Sequence, residues 1–115
     1  MGKSNLYLGE FEELVLLAIL RVGDNAYGVT LREAIEQIAG RKTSLGTIYT
    51  TLDRLESKGF IDSRQGEKTE ERGGRAKTFF TVNGCGQEAL SEAERARRRL
   101  IPAESLSWSS VGHGL

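Results

Sequence analysis

The order of the segments in the middle of the chain constrains the fold more than any other feature. A short helix is predicted from Ser44, whose side chain can cap the first turn, to Gly59, which permits a left-handed exit. Two strand-like segments follow at 60–64 and 77–82, where aromatic and β-branched residues concentrate. A glycine- and arginine-rich turn separates them. A helix followed directly by such a hairpin is typical of a winged helix.

Three further helices are predicted, because apolar residues recur at three- and four-residue steps. The first helix ends at Gly23, and the last begins after the cap residue Asn83 and ends before Pro102. The apolar face of the second helix is formed by Tyr27, Leu31, Ile35 and Ile38.

The fold class is therefore expected to be mainly α with a small β-hairpin (α+β), arranged as a winged helix-turn-helix. Residues 1–82 would form this winged helix-turn-helix, which is a DNA-binding domain, and residues 83–101 would form a carboxy-terminal helix for dimerisation. The tail at 102–115 is rich in serine and glycine, and we expect it to be poorly ordered. A length of 115 residues with 38% apolar composition is ordinary for one globular domain.

No segment indicates export or membrane insertion. The apolar run at 14–20 is short and follows Glu10, Glu12 and Glu13, unlike a signal peptide or a spanning helix. Cys85 is the single cysteine and cannot close an internal disulfide, which fits a reducing compartment. We therefore expect the protein to be cytoplasmic.

Charge is balanced globally but not locally. The 16 basic and 16 acidic residues cancel, yet residues 41–77 hold nine basic and six acidic side chains, a net charge of +3. The rest of the chain is correspondingly negative. Such a dipolar protein can bind a polyanion through one face, and more strongly if two copies align.

The outward face of the third predicted helix carries hydroxyl groups and one guanidinium, which can reach phosphates or base edges. Arginines in the turn of the hairpin can reach the backbone or the minor groove. A solvated polar face and a flexible charged loop are the alternative interpretations. The DNA-binding residues predicted on these grounds are Ser44, Thr47, Thr50, Thr51, Arg54, Arg72 and Arg75.

Two helices carry apolar surface that one neighbour does not readily cover. The first helix is apolar around most of its circumference, which fits either a monomer core or a dimer contact. The last helix has a narrow stripe of small residues, which permits close packing against another helix, such as that of a second subunit. The predicted dimerisation residues are Phe11, Leu14, Leu17, Ala89, Ala93, Ala96 and Leu100.

Four short motifs are more specific than the periodic patterns that predict helices and strands. They are Leu8-Gly9-Glu10 with the apolar run at 14–20, Ala26-Tyr27-Gly28, Gly46-Thr47-Ile48-Tyr49 with 52–61, and Gly73-Gly74-Arg75-Ala76-Lys77-Thr78-Phe79-Phe80. With them the chain resembles the PadR family of bacterial transcriptional regulators over about residues 6–100. The third motif is the most specific.

The resemblance implies a winged helix-turn-helix that dimerises through its first and last helices and binds a pseudo-palindromic operator. The third helix would enter the major groove, and the wing would comprise Gly73 to Lys77, with Gly74 and Lys77 among its predicted DNA-binding residues. Tyr49 would lie at the boundary with DNA, although packing against the second helix accounts for its ring equally well. The family usually has tyrosine in place of Phe80 and threonine in place of Asn83, so Phe80 is expected in the core and Asn83 as an exchanged cap.

The predicted function is a sequence-specific, homodimeric DNA-binding repressor that a small aromatic or amphipathic effector, or another signal, releases from double-stranded DNA. The alternative is a winged-helix protein-interaction module. An enzyme is not expected, since no metal, nucleotide or other cofactor signature occurs. Trp108 could stack on an effector and Cys85 could sense oxidation, but packing and an inert thiol are the commoner roles.

Overall fold

Four helices and one hairpin follow one another in the order that the sequence predicts. The computed structural model describes residues 7–67 and 76–105. The helices and strands are α1 Glu10–Val22, α2 Gly28–Gln37, α3 Leu45–Ser57, β1 Ile61–Gln65, β2 Thr78–Val82 and α4 Gly84–Leu100. Short 3₁₀ turns occupy Gly23–Asn25 and Ala103–Ser105. The predicted mainly α fold with a small hairpin is confirmed.

Local side-chain caps define where the helices begin and end. Ser44 Oγ accepts a hydrogen bond from Thr47 N at 3.1 Å, which satisfies a free amide in the first turn of α3. At the start of α1, Glu12 reaches back to Gly9 N at 2.7 Å. Gly59 follows α3 with φ of 81°, the left-handed conformation that glycine adopts without strain.

The core lies where α1, α2 and α3 meet, and the hairpin covers one side of it. Ile38, predicted on the inward face of α2, is instead 60% exposed, because it lies just past the end of α2 and lines an open groove with Leu14 and Leu17 of α1. Phe80 is buried, as predicted. The buried hydrophobic residues are Val15, Leu16, Ala18, Ile19, Ala26, Leu31, Ile35, Ile48, Leu52, Leu55, Phe60, Ile61 and Phe80.

The two strands pair antiparallel, with Ile61 opposite Val82 and Gln65 opposite Thr78. Phe80 N donates to Ala26 O at 2.9 Å, which ties the hairpin to the segment before α2. A helix-turn-helix, α2 and α3, followed directly by this hairpin is the predicted winged-helix arrangement. Residues 68–75, in which most of the predicted wing falls, lie outside the described residues.

Ion pairs line α4 and connect it to α1. Arg97 pairs with Glu13 of α1 at 2.7 Å, whereas the other arginines near its end pair within the helix, for example Arg98 with Glu94 at 3.1 Å. The helix closes before Pro102, as predicted. Of the predicted tail, Ala103–Ser105 form a short turn, and Trp108 lies outside the described residues. Among the helices described, none is long and apolar enough to cross a membrane.

Candidate DNA-binding surface

The exposed face of α3 carries Thr47, Thr50 and Arg54, as predicted. Thr51 does not belong to it. This residue is 4% exposed, and its Oγ1 donates to Thr47 O at 2.8 Å, so the prediction that it faces outward is wrong. The reason is the helical period, since Thr51 is three residues after the buried Ile48 and shares its inward face.

The two hydroxyls at the start of α3 act as a pair. Ser44 Oγ donates to Thr47 Oγ1 at 3.0 Å while it accepts from Thr47 N. The proton of Ser44 is therefore engaged within the protein, and its first role is to cap the helix. Thr47 keeps its own hydroxyl proton available for an external acceptor such as a phosphate oxygen or a base edge.

Arg54 and Asp53 stand beside each other on the outward side of α3. Arg54 is exposed, and its side chain forms no hydrogen bond or ion pair with any residue in the described parts of the chain. Its five donors are thus available for a phosphate or for guanine. Sequence reasoning passed over Asp53, which is also exposed. A carboxylate there repels phosphates and can accept only from base amino groups, so it bears on specificity.

Tyr49 contacts the amino-terminal end of α2, although its side chain is still 46% exposed. Its ring lies against Gly28, and a Cβ placed on Gly28 would be 2.6 Å from Tyr49 Cζ. Packing against the second helix, one of the two interpretations open at the sequence level, is therefore present. Sequence reasoning gave Gly28 no role, and only its place after Tyr27 in the second motif could have indicated one.

Two cations stack on aromatic rings where the hairpin leaves the helical core. Lys77 Nζ lies 4.3 Å from the centre of the Tyr27 ring, and the guanidinium of Arg64 lies 4.7 Å from that of Phe79. The two rings meet edge to face at 5.6 Å. This base of the wing, comprising Arg64, Lys77, Tyr27 and Phe79, holds both charges in place. Lys77 was predicted as a DNA contact, whereas Arg64 was missed.

Glutamates of α1 partly offset the local positive charge that the sequence indicates. Lys58 is 15% exposed and pairs with Glu12 at 2.9 Å, and Arg41 pairs with Glu10. Burial raises the pKa of Glu12, but hydrogen bonds from Lys58 and Gly9 N outweigh it and hold that pKa below the usual range. Lys58 and Arg41 are therefore already engaged in ion pairs within the protein. Among the described residues, Arg54 of α3, Lys42 before it, and Arg64 and Lys77 at the base of the wing form no such ion pair.

Arg72, Gly74 and Arg75, all predicted DNA contacts, lie outside the described residues. Most of the predicted dimerisation residues line neighbouring grooves rather than one surface, and Leu17 also borders α4. Leu14 and Leu17 line an apolar groove between α1 and α2, and Ala89, Ala93 and Ala96 line another groove beside α4. Phe11 packs partly against the core, and Leu100 is 83% exposed.

No group of three or more metal-binding side chains occurs within residues 7–67 and 76–105. Cys85 is exposed in the first turn of α4.

Comparisons with known proteins agree with this arrangement. The family model described as "Transcriptional regulator PadR-like family" matches residues 16–92. A search of curated proteins gave no match. The fold is similar to that of a PadR-like transcription factor from Bacteroides fragilis, with a TM-score of 0.65, 21% identity and coverage of 91% of this chain and 89% of that one.

Two further solved structures share the fold. A PadR family transcriptional regulator from Eggerthella lenta gives a TM-score of 0.63 at 24% identity, covering 79% of each chain. Bacillus subtilis PadR, solved in complex with operator DNA, gives 0.59 at 21% identity, covering 72% of this chain and 47% of that one.

Proposed function

This chain belongs to the PadR-like family of transcriptional regulators, and we propose that it is a sequence-specific DNA-binding repressor that acts as a homodimer. Family membership makes it a regulator rather than an enzyme. The observation that carries the DNA-binding proposal is the exposed face of α3, where Thr47, Thr50 and Arg54 offer donors that the described part of the protein does not use. The Bacillus subtilis protein of this fold was solved on operator DNA, which supports the same role for this chain.

In the proposed complex, α3 lies in the major groove. Thr47 and Thr50 are short enough to approach base edges, and Arg54 can bond a phosphate or the O6 and N7 of guanine. Tyr49 packs on Gly28 and exposes the rest of its ring at the edge of the same surface. Ser44 supports this surface by capping the helix and orienting Thr47.

The hairpin adds backbone contacts in this proposal. Lys77, held over Tyr27, would bind a phosphate beside the groove that α3 occupies. Arg72, Gly74 and Arg75 would form the wing and follow the backbone or minor groove beyond it. Asp53 would oppose non-specific binding because it repels phosphates. These roles follow from charge and position, and each can be tested separately.

A homodimer accounts for apolar surface that one subunit leaves exposed. Leu17 is 49% exposed and Leu20 47%, and both lie on α1. A second copy would cover this surface, together with Phe11, Leu14 and the α4 residues Ala89, Ala93, Ala96 and Leu100. Two copies would also bring two positive faces to one DNA molecule, which strengthens a modest local charge. Release by a small-molecule effector and a cytoplasmic location complete the proposal.

Arg54→Ala directly tests the proposed contact between the exposed face of α3 and DNA bases. We expect it to weaken binding to the operator about tenfold and binding to random DNA by less than twofold, because a base contact discriminates by about 1–3 kcal/mol. The measurement is a titration of labelled duplexes at two salt concentrations. The operator duplex would come from DNA upstream of the protein's own gene, selected by footprinting with the wild type.

Arg98→Ala is the matched control, since it removes the same charge from an exposed helix position, where Arg98 pairs with Glu94. It should leave both affinities unchanged. Equal losses of Arg54→Ala on operator and random DNA would make Arg54 a phosphate contact. Failure of the folded wild type to protect any site in the footprinted DNA or to bind random DNA would favour the protein-interaction module instead.

Leu17→Asp tests the dimer. A charge in a buried subunit contact is costly, so we expect the dissociation constant of the dimer to rise at least tenfold, measured by analytical ultracentrifugation. Asn25→Asp adds the same charge on the exposed turn before α2 and should have no effect. A dimer that is equally stable in both variants would remove Leu17 from the proposed interface.

A further inference from the structure

The first turn of α4 is fastened to the backbone that leaves α3. Asn83 N donates to Phe60 O at 3.1 Å, and its side-chain amide donates to Gly59 O at 3.0 Å. Its side-chain oxygen accepts from Gly86 N at 3.0 Å and so caps α4. One residue therefore begins α4 and holds it to the two carbonyls that follow the proposed recognition helix.

Gly86 brings the two backbones together. It is buried, and a Cβ on it would collide with Phe60 O and lie 2.8 Å from Val82 Cγ1. Gly84, in the same turn, has no atom within 4 Å of the corresponding position. The close approach at Gly86 is thus specific to the side of α4 that rests on the exit from α3, and it leaves no room for any side chain.

Beyond this turn α4 packs on its own subunit through Ala89 and Leu90, which lie half-buried against the core, and its later turns contain no buried residue. Gly86 is its one buried residue, and an open groove lies on each side of the helix, one toward Leu17 and Leu20 and one toward Tyr7 and Phe60. The ion pair between Arg97 and Glu13 is exposed on the arginine side. The direction of α4 is therefore set in its first two turns, where Asn83 and Gly86 hold the backbone and Ala89 and Leu90 pack on the core.

A small change in the angle at which α4 begins becomes a large displacement of its far end. The 17 residues of α4 extend about 25 Å at 1.5 Å per residue, so a rotation of about 5° moves the far end by about 2 Å. In a dimer both helices move, so the displacement between the two subunits is about twice as large. The rise of one base pair, for comparison, is about 3.4 Å. Half-sites of symmetric operators lie about one helical turn, roughly 34 Å and 10 base pairs, apart. The displacement therefore approaches the rise of one base pair, and the turn of about 34° that accompanies that base pair must be taken up by the joint and by the DNA together.

We propose that Asn83 and Gly86 are positioning residues that set the angle between α4 and α3, and through it the half-site spacing that the dimer prefers. The inference rests on the proposed function, because spacing has meaning only for a dimer on DNA. It assigns to the α3–α4 joint, defined here as Gly59, Phe60, Asn83 and Gly86, a role in operator selection although none of these residues needs to touch DNA.

Gly86→Ala is the principal variant and Gly84→Ala its matched control. Affinity is measured for duplexes whose half-sites are moved one base pair at a time, and for a single half-site. We expect the wild type and Gly84→Ala to share one optimum with about tenfold weaker binding one base pair away. Gly86→Ala should move that optimum by at least one base pair or reduce the preference below threefold, with half-site binding within twofold of the wild type.

Asn83→Ser carries the same test if Gly86→Ala does not fold. A serine Oγ still caps Gly86 N but lacks the amide that reaches Gly59 O, so the preference should weaken while helix content is retained. An unchanged spacing profile in the folded variants would overturn the inference and leave the proposed function intact. Loss of half-site binding by a folded variant would also overturn it. A wild type without any spacing preference would refute the dimeric function itself.

Discussion

Glu12→Gln is expected to lower the free energy of unfolding by about 3 kcal/mol, because it leaves a largely buried lysine without its counter-charge. Glu12 is 4% exposed and accepts from Lys58 Nζ at 2.9 and 3.0 Å. Lys58 also donates to Tyr7 O, so this ammonium joins the segment before α1 to the end of α3. Glutamine can still accept from Gly9 N but cannot balance the charge of Lys58.

Glu10→Gln is the control for this prediction. Glu10 pairs with Arg41, but both side chains are largely exposed, so its loss should cost at most about 1 kcal/mol. Urea denaturation of the three proteins at neutral pH measures the difference. Similar losses in both variants would show that the Glu12–Lys58 pair adds nothing beyond a surface ion pair.

The same pair predicts how stability depends on pH. The pKa of folded Glu12 lies below its ordinary value of about 4.3, because the hydrogen bonds from Lys58 and Gly9 N outweigh burial. The stabilisation is therefore complete above the unfolded pKa and is lost as pH falls through the folded pKa. The wild type should thus lose part of its advantage over Glu12→Gln below about pH 4. A difference that stays constant to low pH would contradict this.

Gly28→Ala is expected to lower the free energy of unfolding by about 1 kcal/mol, because the added methyl collides with the phenol end of Tyr49, a half-exposed side chain that can turn aside. The new Cβ would lie 2.6 Å from Tyr49 Cζ and 2.9 Å from Cε1, so the ring or the start of α2 must move. Either movement alters the proposed DNA-binding surface. Operator affinity should therefore fall with stability.

A double-mutant cycle separates this contact from the general effect of glycine replacement. Tyr49→Ala removes the ring, and in that background Gly28→Ala should cost less than about 0.5 kcal/mol. Gly84→Ala, where no atom is close, should be neutral or slightly stabilising, since alanine favours helix more than glycine does. Additive effects of Gly28→Ala and Tyr49→Ala in chemical denaturation would mean that the strain arises elsewhere.

Much of the fold could be predicted because its signals are local. Both strands lie within one residue of their predicted bounds, and Ser44 and Asn83 cap the helices expected of them. A cap or an exit glycine acts on residues within one turn, so its effect can be predicted from neighbouring residues in the sequence. The exposed residues of α3 followed from the helical period, which, counted from the buried Ile48, also places Thr51 on the inward face.

Local patterns in the sequence were enough to predict the helices, the strands and the family, although α2 ends at Gln37, before the predicted Ile38. Tertiary packing alone shows that Tyr49 packs on Gly28, that Lys58 neutralises Glu12, and that Gly86 rests on Phe60. The partners in these contacts are far apart in the chain. Their meeting depends on how closely helices and hairpin approach in space, and neither helical period nor capping chemistry specifies that distance.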